Sequence, residues 1–177
     1  GDISGIRILR KSIDARGRRI RVHLEVRVVT GEGPLPPVEP PLRLQDVRNA
    51  AAVVVVGAGP AGLFAALRLI ELGRRPVILE RGPAVAQRRK AIARIHREGE
   101  IFPEANYGFG DGGAGALSAG KLYTRATESG NVQRMLDILH FHGASQQICY
   151  EPRPHIGTHN LPAPIRAIRT TLDTAGG

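Results

Sequence analysis

"AAVVVVGAGPAGLFAALRLIELGRRPVILERG", from Ala51 to Gly82, decides the fold. Val53 to Val56 is an unbroken apolar run, which predicts a parallel-sheet strand buried on both faces. Pro60 to Leu72 keeps a helical apolar period and stops at Gly73, a residue suited to a helix C-terminus. "PVILE" predicts a second buried strand, so the stretch reads β-α-β. Between strand and helix stands "GAGPAG". Gly57 permits the tight turn out of the strand, Gly59 lets the backbone approach a pyrophosphate with no Cβ in the way, and Gly62 lets the helix pack closely on the sheet. Pro60 and Ala61 complete the first helical turn, whose unpaired N–H groups and positive dipole end suit a diphosphate. Ala66, one turn later, keeps helix and strand in contact. Glu80 follows Gly57 by 23 residues, where a carboxylate can accept hydrogen bonds from a ribose diol. Its charge would repel a 2′-phosphate, which disfavours NADP at this site. The stretch predicts a dinucleotide site and leaves FAD and NAD both open.

Working outward, Arg81 stands next to the ribose-binding acid. Gln87 to Arg97 predicts a basic helix whose Arg88 and Arg89 either add positive charge near a diphosphate or form a solvated face. Phe102 to Gly120 is glycine-rich and irregular. Val132 to His142 and Ala163 to Ala175 predict two more helices, and the final "GG" would lead into a third sheet strand. Upstream, "IRILRKSI" and "IRVHLEVRVV" predict a hairpin turning through "DARGRR" at Gly17. In the second strand Ile20, Val22, Leu24, Val26 and Val28 share one face, and Arg19, Arg21, His23, Glu25 and Arg27 the other. That period predicts a strand half-buried against something else. Two strands alone are marginal in water, so the N-terminus reads as cut. Five of the 13 prolines fall between Pro34 and Pro41, which predicts an extended linker. The expected organisation is a partial α+β module of two strands over 1–30, a proline-rich linker over 31–49, and over 50–177 the N-terminal part of an α/β domain, truncated at its C-terminus.

Bulk properties agree with that organisation. The chain has 177 residues, 42% of them apolar and only 4% aromatic, which predicts an aliphatic, alanine-rich core. A single cysteine, Cys149, excludes an internal disulfide and a Cys-based zinc site, and fits a reducing cytoplasm. "GAGPAG" interrupts the apolar stretch from Ala50 to Ile70, so no membrane span is expected. The net charge of +9 suits a phosphorylated ligand, nucleic acid or anionic lipid, or simply a solvated basic surface.

A second glycine segment, "NYGFGDGGAGALSAGKLYTR", has five glycines among the 11 residues from Gly110 to Gly120. Gly112, Gly113 and Gly115, with Ala114 among them, free successive backbone N–H groups for an anion-binding nest. Ser118 adds a hydroxyl and Lys121 a positive charge. The other reading is a flexible loop.

With "GAGPAG", "LERG" and "GDGGAGALSAGKLYTR" in view, the chain resembles the bacterial family of FAD-dependent, or NAD(FAD)-utilising, dehydrogenases. These are mostly uncharacterised flavoproteins whose FAD domain is similar to that of the glutathione reductase and succinate dehydrogenase group. The resemblance runs from "ILRKSIDAR" through "PHIGTHN", nearly the whole chain. Ala119 and His159 depart from it, standing where a more polar and an acidic residue belong. The resemblance implies a Rossmann-like FAD/NAD(P)-binding domain, with the ADP half of FAD on Gly57, Gly59, Gly62, Glu80 and Arg81. It implies that the second glycine segment faces the ribityl and flavin end, where Lys121 would stabilise negative charge on the ring. It also implies an FAD-dependent oxidoreductase considerably longer than this chain, with NAD(P)H a possible reductant and an unknown small-molecule donor or acceptor. His155 in "PHIGT" matches the family and is the candidate acid/base.

His140 and His142 point in different directions on a helix, and Pro154, Gly157 and Pro162 argue against a helix aligning His155 with His159, so no metal site is expected. Two other functions remain: a dinucleotide-binding module without turnover, and a nucleic-acid-binding protein using the basic hairpin and the Arg88 to Arg97 helix. The last lacks a stacking set of aromatics, so no nucleic-acid partner is expected.

Overall fold

The computed structural model describes residues 2–31, 40–117, 120–124, 130–157 and 159–177. Strand β1 (Ile3–Asp14) and strand β2 (Arg21–Thr30) form an antiparallel hairpin, with Ile6 opposite Val28 and Ile13 opposite Val22. Strand β3 (Ala52–Val56) and strand β4 (Arg75–Leu79) form a parallel pair joined by helix α1 (Pro60–Glu71). Helix α2 (Val85–Glu98) follows, then an irregular stretch with one 3₁₀ turn at Ala114–Leu117. Helix α3 (Val132–Phe141) and helix α4 (Pro162–Ala175) complete the order. This is a mixed α/β architecture with a small parallel sheet.

The core is aliphatic, as the composition implies. Leu63, Ala66, Leu67 and Ile70 give α1 a buried stripe that meets Ile165, Ile168 and Leu172 of α4 and Leu139 of α3. Burying each of these leucines and isoleucines contributes roughly 1.5–3 kcal/mol. His142 is also buried, its ring nitrogens placed against Ile138 O and Thr171 Oγ1, so it fastens α3 to α4. Glu71 ties α1 to α3 through Arg134 at 2.6 Å.

Three expectations are corrected. The strands β3 and β4 are not buried on both faces. Val53 and Val55 turn toward the α1 side, but Val54, Val56, Val77 and Leu79 are exposed, Val56 at 84%. The apolar run is explained by neither α1 nor any other described element on that face. Likewise the apolar face of the hairpin, from Ile13 and Val22 to Val28, is largely solvent-exposed. The hairpin is anchored instead by one edge, where Lys11 N donates to Tyr150 O and Lys11 pairs with Glu151 at 2.6 Å. Finally, 40–49 is no spacer. Leu42 is buried, Val47 is 0% exposed, and Val47 N donates to Ala175 O, which makes this segment part of the core. The proline-rich residues 34–39 lie outside the described residues.

Candidate functional site

The first turn out of β3 is shaped by close approach. Gly57 has φ +95, a left-handed conformation that favours glycine. A Cβ on Gly62 would lie 1.9 Å from Gly57 O, so the helix begins against the turn only because residue 62 has no side chain. Pro60 occupies the first helical turn, and no side chain caps α1. The N–H groups of Ala61 and Gly62 are therefore orphan donors at the positive end of the helix dipole. A Cβ on Gly59 would meet only Gly113 Cα, at 3.8 Å, leaving the backbone open to a ligand.

Glu80, just past β4, sits at the junction of three segments. Its Oε2 accepts from Ala58 N at 2.7 Å, and its Oε1 accepts from Gly82 N at 2.8 Å and Gly110 N at 3.1 Å. Burial raises its pKa, but the amides of Gly82, Ala58, Gly110 and Arg81 outweigh that and hold it below the usual carboxylate range. The expected ribose acceptor is thus already employed by the backbone. An acceptor position remains on Oε2, since each carboxylate oxygen takes about two donors.

These elements border one open cleft of ≈ 670 Å³, between the Gly57–Gly59 turn, Glu80 and Arg81, and the Gly108–Gly113 stretch. Its size suits a small-molecule ligand. Arg81 stands at its rim, paired through Nε and Nη2 with Glu104 at 2.6 and 2.9 Å, and stacked 4.5 Å from the Phe109 ring centroid. An uncapped helix start, a side-chain-free turn and a carboxylate with spare capacity together fit a nucleotide diphosphate.

Arg88 is placed differently from its expected role beside a diphosphate. It is fully buried and spends its guanidinium on backbone carbonyls, including Asp111 O at 2.8 Å and Gly113 O at 2.7 Å. The anion nest is corrected too. Gly112 N donates to Ala58 O and Gly113 N to Gly110 O, so these amides are not available to a ligand. The segment turns its carbonyls inward to a cation, and its Gly112 amide ties it to the fingerprint turn. Gly112 and Gly113 still stand at the site, Gly113 packing on Gly59 and Pro60. Ala114 is exposed and opens the 3₁₀ turn that carries Gly115, while Ser118 and Ala119 lie outside the described residues.

The two candidates for chemistry are brought together. Lys121 and His155 face each other across an isolated antiparallel bridge, flanked by Leu122 N to Pro154 O and Ile156 N to Gly120 O, each 2.9 Å. Both side chains are exposed. Among the described residues no group of three His, Cys, Asp or Glu side chains is arranged to hold a metal ion. No helix among them is long and apolar enough to cross a membrane.

Sequence reasoning missed Phe109, Glu104 and Asp111. Asp111 is buried, accepting from Val85 N at the start of α2 and from Arg169 of α4 at 3.1 Å. A lone aromatic and a lone acid inside a glycine run were the available signals.

Residues 50–105 match the model of the FAD binding domain family, and residues 1–29 match a domain of unknown function, DUF8436. An uncharacterised protein of Clostridium beijerinckii is 35% identical over 191 aligned residues, which cover 99% of this chain and 36% of that protein. The chain thus spans about a third of the length of the curated relative it matches. The matched FAD-binding span contains the fingerprint turn, α1, Glu80, Arg81, Arg88 and Glu104.

Proposed function

We propose that this chain carries the ADP-binding half of the FAD site of a flavin-dependent oxidoreductase of the dehydrogenase-like type. The observation that carries this reading is the convergence of the uncapped α1 start, the bare Gly59 backbone and Glu80 on one cleft, within the span that matches an FAD-binding domain. The amides of Ala61 and Gly62 would hold the diphosphate, and Glu80 Oε2 a ribose hydroxyl. Arg81, with Phe109 beside it, would border the adenosine end. The β3-α1-β4 unit is then the opening of a Rossmann-like sheet, preceded by the hairpin module. When bound, the flavin supplies the redox chemistry, accepting or donating a hydride or electrons. Lys121 would place positive charge beside it and His155 would hold or move a proton. A nicotinamide reductant and a small-molecule acceptor complete the reading, and the one unpaired cysteine supports a reducing, cytoplasmic setting.

The test is the visible spectrum of the full-length protein after incubation with FAD and desalting, followed by extraction and identification of the bound nucleotide. A retained flavin spectrum with stoichiometric FAD is expected. A colourless protein that binds NAD instead favours the dinucleotide-binding module without flavin chemistry and sinks the proposal.

A further inference from the structure

We propose that Arg88 is a positioning residue, a buried cation that holds the second glycine segment against the fingerprint turn and so forms one wall of the cleft before any ligand arrives. This rests on reading the cleft as the FAD site. The segment from Asn106 to Gly113 lies outside every helix and strand, so nothing regular fixes it. Arg88 reaches into it from α2 and is 0% exposed. Its Nη2 donates to Asn106 O at 3.1 Å and Tyr107 O at 3.2 Å. Its Nη1 donates to Asp111 O and Gly113 O at 2.8 and 2.7 Å, and to Gly110 O at 3.3 Å. Two Nη1 hydrogens serve three carbonyls, so the Gly110 contact is the long, shared one. Only a planar fork can gather carbonyls from so many positions, and a lysine ammonium cannot reproduce it.

The fit between clamp and segment is close. A Cβ on Gly110 would lie 2.3 Å from Arg88 Cδ, and Gly110 has φ +111. On its other side the same segment reaches the ligand cleft, through Gly110 N on Glu80, Gly112 N on Ala58 O, and Gly113 against Gly59. Burial pushes the Arg88 pKa down, opposed by the charges of Glu80 and Asp111. Its Nε has no partner among the described atoms. A buried cation facing neutral carbonyls, with one donor unmet, is a poor stabiliser of a fold. Its placement is explained by the geometry it imposes.

The experiment compares wild type, Arg88→Met, Arg88→Ala, Arg88→Lys and Gly110→Ala in the full chain. Amide hydrogen exchange is followed in ligand-free protein, and FAD affinity by flavin fluorescence. In Arg88→Met, exchange across 106–113 should rise roughly tenfold while α1 and α4 stay near wild type, and the FAD Kd should rise by a similar factor. Arg88→Lys should recover little of either. Arg88→Ala should regain protection and affinity when guanidinium is added. Protection unchanged in Arg88→Met, or loosened with an unchanged FAD Kd, overturns the proposal. So does uniform loss of protection that guanidinium does not restore. If Arg88→Met does not fold, Gly110→Ala displaces the clamp from the other side and is judged by the same two measurements. A wild-type protein that binds no FAD defeats the functional reading, whereas the exchange comparison still decides the clamp.

Discussion

Glu80 Oε1 accepts the amide of Gly110 at 3.1 Å, although 30 residues separate them. That contact joins the end of β4 to the second glycine segment, and with Ala58 N it makes one carboxylate the junction of all three walls of the cleft. Replacing it by Glu80→Gln keeps the shape but removes the charge from three amide contacts. A loss of about 2 kcal/mol at neutral pH is expected. The folded pKa of Glu80 is lowered, so its contribution is fully present above the unfolded value, about 4.3, and fades as pH falls through the folded one. Urea unfolding of wild type and Glu80→Gln should therefore converge below about pH 4. A gap that persists unchanged to pH 3 rules this out.

The fingerprint glycines divide into two kinds. Gly62→Ala places a methyl 1.9 Å from Gly57 O and should cost about 3 kcal/mol of stability without any ligand present. Gly59→Ala meets nothing closer than 3.8 Å, so its thermal midpoint should match wild type while FAD affinity falls. Equal melting losses in both variants would show that the second is structural as well.

Lys121 and His155 share a bridge and are both exposed, so removing either side chain should leave the unfolding midpoint unchanged. In the full-length protein, Lys121→Met and His155→Gln are each expected to slow flavin reduction several-fold. Stopped-flow reduction of both variants checks this. Wild-type rates in both variants would remove the pair from the chemistry.

Cys149 is expected to be inert. Burial first, then Asp137, pushes its thiol up to about 12. Reaction with a disulfide reagent at pH 8 should run at least about a hundredfold slower than in the unfolded chain. Asp137→Asn should accelerate it, and labelling at the unfolded rate in the native wild type contradicts the assignment.

What was legible in the sequence was local. "GAGPAG" and the two apolar runs report β3, α1 and β4 because close packing and period-dependent burial act within about thirty residues. The hairpin was legible for the same reason. Val47 was not, since a single valine in "RLQDVRN" has no period, and its burial depends on the end of α4. Arg88 sits in a basic helix and reads as solvated. What buries it is a loop 18 to 25 residues away. The glycines of that loop announce backbone freedom but not which side of each peptide faces inward. Amides or carbonyls can converge with equal ease, and here the carbonyls do.

The bare flank of β3 and β4 has a thermodynamic consequence. Val56, at 84% exposure, immediately precedes the turn at Gly57, so one short strand carries an unsatisfied apolar surface at its end and a cleft-lining turn just beyond. Anything that settles over Val54, Val56, Val77 and Leu79 restrains the same backbone that leads into the turn at Gly57 and Gly59. A cover on this face and a ligand at the turn would therefore be coupled reciprocally, each changing the affinity of the other by the same factor.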